Sequence, residues 1–186
     1  WTYTDYRYIS NSRKPIKNLN DIKGLKFRVP QSAILLACYK AWGANPVPIS
    51  WAETFTALQQ GTIDAAENAV ANLIANRYYE ITKNVTYTNH VFGFMGVFMS
   101  DRAWKRIPDD LKDTFVKAVV TGAHRQRQFL VDANESAVEE LTKLGINFYE
   151  IPMEELRKAV EPAMKEFKDN MDPAWVAAIE ADRNAK

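Results

Sequence analysis

Between Leu25 and Arg77, short apolar runs alternate with stretches of helical spacing, and few folds accommodate a chain patterned that way. Leu25, Phe27 and Val29 share one face at period two, which leaves Lys26 and Arg28 on the other. Pro30 has no N–H for a ladder, so the strand stops there. Residues 31–42 read as a helix ending at Gly43, and Val47 to Ile49 as a second strand. Ser50-Trp51-Ala52-Glu53 has the form of a capping box, opening a helix that runs to Gln60 and stops at Gly61. Thr62-Ile63-Asp64 reads as a third strand and Asn68 to Arg77 as a third helix. This alternation predicts an α/β fold on a parallel sheet. Arg28 then stands at the carboxyl end of a strand, where open α/β sheets hold their ligands.

The flanks extend the pattern. Residues 1–9 alternate aromatic and polar side chains like a half-buried strand; residues 11–15 read as a turn, and Leu19 to Lys23 as a helical turn ending at Gly24. The run 91–99 is almost wholly apolar, as in a strand covered on both faces. Pro108, Asp109 and Asp110 open a helix that continues to Gly145; at about 1.5 Å per residue it approaches 50 Å, a length suited to bridging two units. Ile146 to Ile151 forms another strand, and two helices around Pro162 and Pro173 follow.

Several function classes drop out. The net charge is +1 with no basic stripe, which argues against a nucleic-acid partner. No apolar stretch nears the roughly 20 residues of a membrane span. Cys38, the single cysteine, can form no internal disulfide, so it does not mark the compartment, and it reads as core. No GxSxG, HExxH, CxxC, P-loop or GxGxxG occurs, and neither His90 nor His124 has a partner at ligand spacing. The expectation is a protein that is not an enzyme, with no catalytic residue, metal or cofactor. The start at Trp1-Thr2-Tyr3 suggests a fragment or a processed chain.

Three segments carry a resemblance: residues 18–30 (NLNDIKGLKFRVP), residues 43–61 (GANPVPISWAETFTALQQG) and residues 64–68 (DAAEN), followed by Tyr79-Glu80 and His90. Together they resemble the solute receptors of tripartite ATP-independent periplasmic (TRAP) transporters, the DctP-like family. The likeness runs through nearly the whole chain and is most specific in its first 90 residues.

In that family the arginine of the "RVP" run holds the ligand's carboxylate, which implies that role for Arg28. A guanidinium offers two parallel N–H groups that match two carboxylate oxygens, as lysine cannot. Read without the resemblance, Arg28 would be a salt bridge to Asp64 or Glu67. Asn68 is similar to the family's ligand-bonding asparagine; the alternative is a helix N-cap. Arg7 lies where the family often has a second arginine, with Arg13 as its competitor. Trp51 stands where relatives present an aromatic ring, able to wall a pocket and stack on a sugar face, or simply to pack in the core. Gln31 could reach a hydroxyl. His90, Tyr78 and Tyr79 match family positions and read as structural. Ala65 or Ala66 and Ala69 replace the family's glycine and proline around the asparagine, so a relative's ligand does not transfer directly.

By the same resemblance the fold is periplasmic-binding-protein-like, with two α/β lobes and a long lobe-spanning helix, the amino-terminal lobe being largely missing from this chain. Residues 5–93 and 134–186 map to the second lobe, and residues 1–4 and 94–133 to a remnant of the first, including a crossing strand and the long helix. Unless a second chain or a further segment supplies the missing lobe, the strand at 91–99 should expose an apolar face. The implied function is extracytoplasmic: a periplasmic receptor that closes on a small organic carboxylate and delivers it to integral-membrane TRAP permease subunits. Sugar acids, dicarboxylates, keto acids, sialic acid and aromatic acids all fit the class, and nothing in the sequence requires an assisting cation. A sensor or orphan receptor, and an enzyme on the same scaffold, are the rival readings. Arg28→Lys should keep the fold and lose most of the affinity for a carboxylate ligand; unchanged binding by calorimetry would exclude the role.

Overall fold

A computed structural model describes residues 1–184. In chain order the elements are β1 (Thr2–Tyr6), β2 (Tyr8–Asn11), α1 (Leu19–Ile22), β3 (Lys26–Val29), α2 (Ala33–Ala41), β4 (Asn45–Pro48), α3 (Trp51–Gln59), β5 (Ala65–Asn68) and α4 (Val70–Ala75). After a 3₁₀ turn at Tyr78–Glu80 come β6 (Asn84–Tyr87), β7 (Phe92–Met95), α5 (Asp101–Trp104), α6 (Asp109–Lys143), β8 (Asn147–Glu150), α7 (Met153–Lys168) and α8 (Pro173–Asn184). Six strands form one sheet in the order β4-β3-β5-β2-β6-β8, and β1 pairs with β7 in a separate ribbon.

The large sheet is mixed rather than parallel. Strands β3–β4, β3–β5 and β6–β8 are parallel, but β2 lies between β5 and β6 and is antiparallel to both. A helix-by-helix reading of residues 25–77 misses β2, which enters the sheet from upstream. The strand expected over residues 1–9 breaks for a local reason. Asp5 adopts the left-handed conformation (φ 74°), its carboxylate accepts the Tyr6 N–H, and the β1–β7 register slips between Tyr3 and Tyr6. Its two halves therefore join different sheets.

Side-chain alternation gives the sheet two apolar faces. Ile9, Phe27, Val29 and Ala65 pack against Tyr39 and Trp42 of the α2 region and Leu156 of α7. Ala66 and Val85 pack against Leu58 of α3, Val70 and Leu73 of α4, and Ala137 and Leu141 of α6. Glu53 folds back to accept the Ser50 N–H (3.2 Å) and the Ser50 hydroxyl (2.6 Å), closing the start of α3, and Gly61 ends that helix at φ +69°.

The third strand lies later than expected. Residues 62–64 turn instead, because the Asp64 carboxylate accepts the Lys26 N–H (2.9 Å) and the Arg13 Nε–H (2.7 Å). Residues 65–68 then form β5, which places Asn68 in a strand. The N-cap of α4 is Ala69, not Asn68.

The apolar run 91–99 is strand only at Phe92–Met95, where it has β1 as its partner. It is not covered on both faces: Phe94, Val97 and Phe98 are exposed, Phe98 by 92%. The long helix is divided in the same way. Its buried residues are Asn134, Ala137 and Leu141, whereas Leu111, Val116, Val120 and Phe129 face out. The two ends of the molecule should respond oppositely to truncation. Phe27→Ala should cost about 3–5 kcal/mol in urea unfolding, since Phe27 is fully buried. Phe98→Ala should change stability by less than about 0.5 kcal/mol.

Candidate functional site

Arg28 sits on β3 with 4% of its surface exposed. Its Nε–H donates to the Ile49 carbonyl just past β4 (3.1 Å), and that is its one hydrogen bond among the described residues. The terminal nitrogens of the guanidinium are left unengaged. The two acids that could neutralise it are taken elsewhere: Asp64 pairs with Arg13 at 2.7 Å, and Glu67 with Arg7. No carboxylate among the described residues lies within ion-pair distance of Arg28. Burial lowers its pKa and Glu67 opposes that shift, but a guanidinium stays charged at neutral pH. A buried cation without a counter-ion costs several kcal/mol, so the site favours an anion.

Two aromatic rings wall the cation. Trp51, the first residue of α3, stacks on Tyr78 at 5.3 Å between centroids and 9° between planes. The Arg28 Cζ lies 5.6 Å from the Trp51 ring, within cation–π range. Trp51 keeps 37% of its surface exposed, so its ring is neither core nor free. Burial pushes the Tyr78 phenol up to about 12, and it stays neutral.

Asn68, on the same face of the sheet as Arg28, is nearly buried at the end of β5. Its side-chain oxygen accepts from the Ala69 N–H (2.9 Å) and from the Asn72 side-chain amide (2.7 Å). A backbone N–H can only donate, so the contact with Ala69 identifies the oxygen. The Asn68 Nδ2 has no partner among the described residues and remains a donor.

Arg7 occupies the break between β1 and β2. Its Nε makes an ion pair with a Glu67 oxygen and its Nη2 donates to the Glu67 carbonyl (3.2 Å). Its backbone is fixed by its own N–H to Val91 O (2.9 Å) and by the Thr88 hydroxyl on its carbonyl (3.3 Å). That hydroxyl has a single proton, so His90 Nδ1–H donates to Thr88 (2.7 Å) and His90 Nε2 accepts from the Tyr39 hydroxyl (2.8 Å). Burial, with the Arg7 charge adding to it, drives the His90 pKa down to about 3, which keeps the ring neutral. His90 is thus a structural link behind Arg7.

Glu67 is 1% exposed, and among the described residues neither of its oxygens has a hydrogen bond of good geometry beyond the ionic contact with Arg7. Desolvation outweighs the pull of Arg7 and Arg28 and pushes its pKa up to about 7. In the sequence Glu67 stands out only as a candidate partner for Arg28. The signal for more was its place one residue before Asn68, with its side chain on the opposite face of β5. Gln31 is exposed just past β3 and makes no hydrogen bond with the described residues, and Arg13 is held by Asp64 at the other end of the sheet. Arg28, Asn68, Trp51 and Tyr78 therefore share one side, Arg7, Glu67, Tyr39 and His90 the other, and both sets meet at the carboxyl ends of β3 and β5.

The model for bacterial extracellular solute-binding protein, family 7 (DctP), matches residues 1–171. The sialic acid-binding periplasmic protein SiaP of Vibrio cholerae is 31% identical over 172 residues, covering 92% of this chain and 54% of that protein. The C4-dicarboxylate-binding periplasmic protein DctP of the same organism is 34% identical over 166 residues, covering 89% of this chain and 47% of that protein. Among solved structures, a TRAP periplasmic solute-binding protein from Polaromonas sp. JS666 bound to D-erythronate superposes with a TM-score of 0.91 at 32% identity, covering 97% of this chain and 60% of that one. The sugar acid binding protein DctPAm from Advenella mimigardefordensis, in complex with galactonate, gives 0.89 at 30% identity, covering 100% and 61%. The chain spans about half the length of the curated relatives it matches. With its α/β architecture, its long helix and a family match that runs from Trp1 to Met171, the chain belongs to the DctP family of bacterial extracellular solute-binding proteins.

Proposed function

We propose that this chain supplies the arginine-bearing half of a periplasmic receptor for a small organic carboxylate, which a TRAP-type permease then imports. One observation carries the reading: Arg28 is a buried cation, fixed through Nε, whose terminal N–H groups have no partner among the described residues. Two carboxylate oxygens fit that fork end on, one to each terminal nitrogen. Asn68 offers a further donor, and Trp51 offers a partly exposed ring for the carbon skeleton of a sugar acid. Relatives solved with erythronate and galactonate favour that ligand class.

Arg7 serves as a second positive charge near the ligand, and Gln31 stays a candidate for a hydroxyl contact on closure. The proposed division assigns residues 5–93 and 134–186 to one lobe, and 1–4 and 94–133 to the other; residues 185 and 186 lie outside the described residues. The contacts at those boundaries support it. Asn134 donates to the Asp5 carboxylate (2.7 Å) and accepts the Ala71 N–H (3.0 Å), and Thr4 reaches the Gly93 carbonyl (3.5 Å). The exposed apolar side chains of β7 and the first turns of α6 would then pack against the rest of the first lobe, whether in the same chain or a second one. Closure of two such lobes would exclude water and strengthen the arginine–carboxylate contact.

The test is a thermal-shift screen of sugar acids and dicarboxylates on the full receptor. At a hundredfold excess over Kd a true ligand stabilises by about 2.7 kcal/mol, which moves Tm by several degrees. Arg28→Ala should abolish the shift while the circular dichroism stays native. A shift that survives Arg28→Ala would place the anion elsewhere.

A further inference from the structure

The charges around the site do not balance, and the imbalance falls on one buried group. Two arginines face one acid: Glu67 holds Arg7 directly and pulls on Arg28 electrostatically. A ligand carboxylate on Arg28 would cancel that cation's pull on Glu67 and set a second negative charge beside a carboxylate that burial already disfavours. We propose that Glu67 is a resident competitor for these arginines, so that binding of an organic carboxylate is accompanied by net proton uptake from solvent onto the Glu67 carboxylate. The proposal rests on the carboxylate reading above and deepens it, since it makes Glu67 the residue that sets how much negative charge a ligand can carry.

The geometry supports proton uptake at this group. Glu67 is fully buried on β5, and apart from the ion pair its oxygens receive no hydrogen bond from the described residues. An ionised carboxylate held so poorly is close to preferring its neutral form. The other groups that face it cannot take the proton in its place. Arg7 and Arg28 remain cationic, the Tyr39 hydroxyl from α2 titrates far above neutrality, and the His90 ring behind Arg7 is held neutral by burial. In the free chain Glu67 changes charge at about pH 7. A second anion beside the same arginines disfavours the Glu67 anion further and should raise that midpoint by about one unit. Affinity for a monocarboxylate should then fall about tenfold between pH 6 and pH 9.

The chain's own stability carries the same signature without a ligand. The folded-state pKa lies above the unfolded carboxylate value near 4.3, so the folded state binds more protons between the two. Stability is fully present below the unfolded value and falls as pH rises through about 7. Glu67→Gln, which mimics the protonated form, should remove that fall in urea titrations.

The decisive experiment is carbon-13 NMR of the full receptor labelled at the glutamate carboxyl, with the Glu67 signal assigned by through-bond correlation and by its loss in E67Q. The expected result is a midpoint near 7 that moves up by about one unit on saturation with galactonate, while the Arg28 guanidinium signals shift as the acid binds. A midpoint near 4.5, or one that galactonate leaves unmoved while the Arg28 signals shift, overturns the proton linkage and leaves the carboxylate reading standing. Arg28 signals indifferent to every sugar acid and dicarboxylate of the thermal-shift screen would overturn the carboxylate reading and the linkage with it.

Discussion

The hydrogen bond from Arg28 Nε to the Ile49 carbonyl ties together the sheet, the helix behind it and the site. It commits one donor of a buried guanidinium to the strand next door, which aims the fork and leaves the terminal nitrogens without a partner among the described residues. Ile49 follows β4, whose parallel register with β3 sets Val47 opposite Arg28. Trp51 then starts α3 two residues later, at the distance where its ring lies against the cation. A change in the β3–β4 register would lose the anchor and the aromatic wall together.

Distribution of the acids matters as much as placement of the base. Asp64 is engaged by the Lys26 N–H and by Arg13 at the far end of β3, and Glu67 by Arg7. Both carboxylates are thus kept off Arg28, which is what separates an anion site from a buried salt bridge. The arrangement has an energetic cost that core packing on both faces of the sheet offsets, through Phe27, Val29 and Tyr39 on one side and Leu58, Leu73 and Leu141 on the other.

Much of this was legible beforehand, for identifiable reasons. Period two in residues 25–29 and the stop at Pro30 located β3 and put Arg28 at its end, and the Ser50–Glu53 box and Gly61 bounded α3 closely. What the sequence hid were long-range choices. The insertion of β2 between β5 and β6 depends on Asp5 adopting a left-handed backbone, which local spacing does not reveal. The delay of β5 to Ala65 depends on Asp64 turning to cap Lys26 from 38 positions away. For the same reason a choice among Asp64, Glu67 and no partner for Arg28 could be weighed from residue types but needed the fold to be made. The pairing of Trp51 with Tyr78 likewise joins two segments that spacing keeps apart.

A crystal structure of the complete receptor with an organic acid would test the central claim most directly. The account predicts both oxygens of the ligand's carboxylate at about 2.7–2.9 Å from the Arg28 guanidinium, with its Nε still on the Ile49 carbonyl. A guanidinium paired instead with Glu67 or Asp64, and a ligand carboxylate held by other groups, would contradict it.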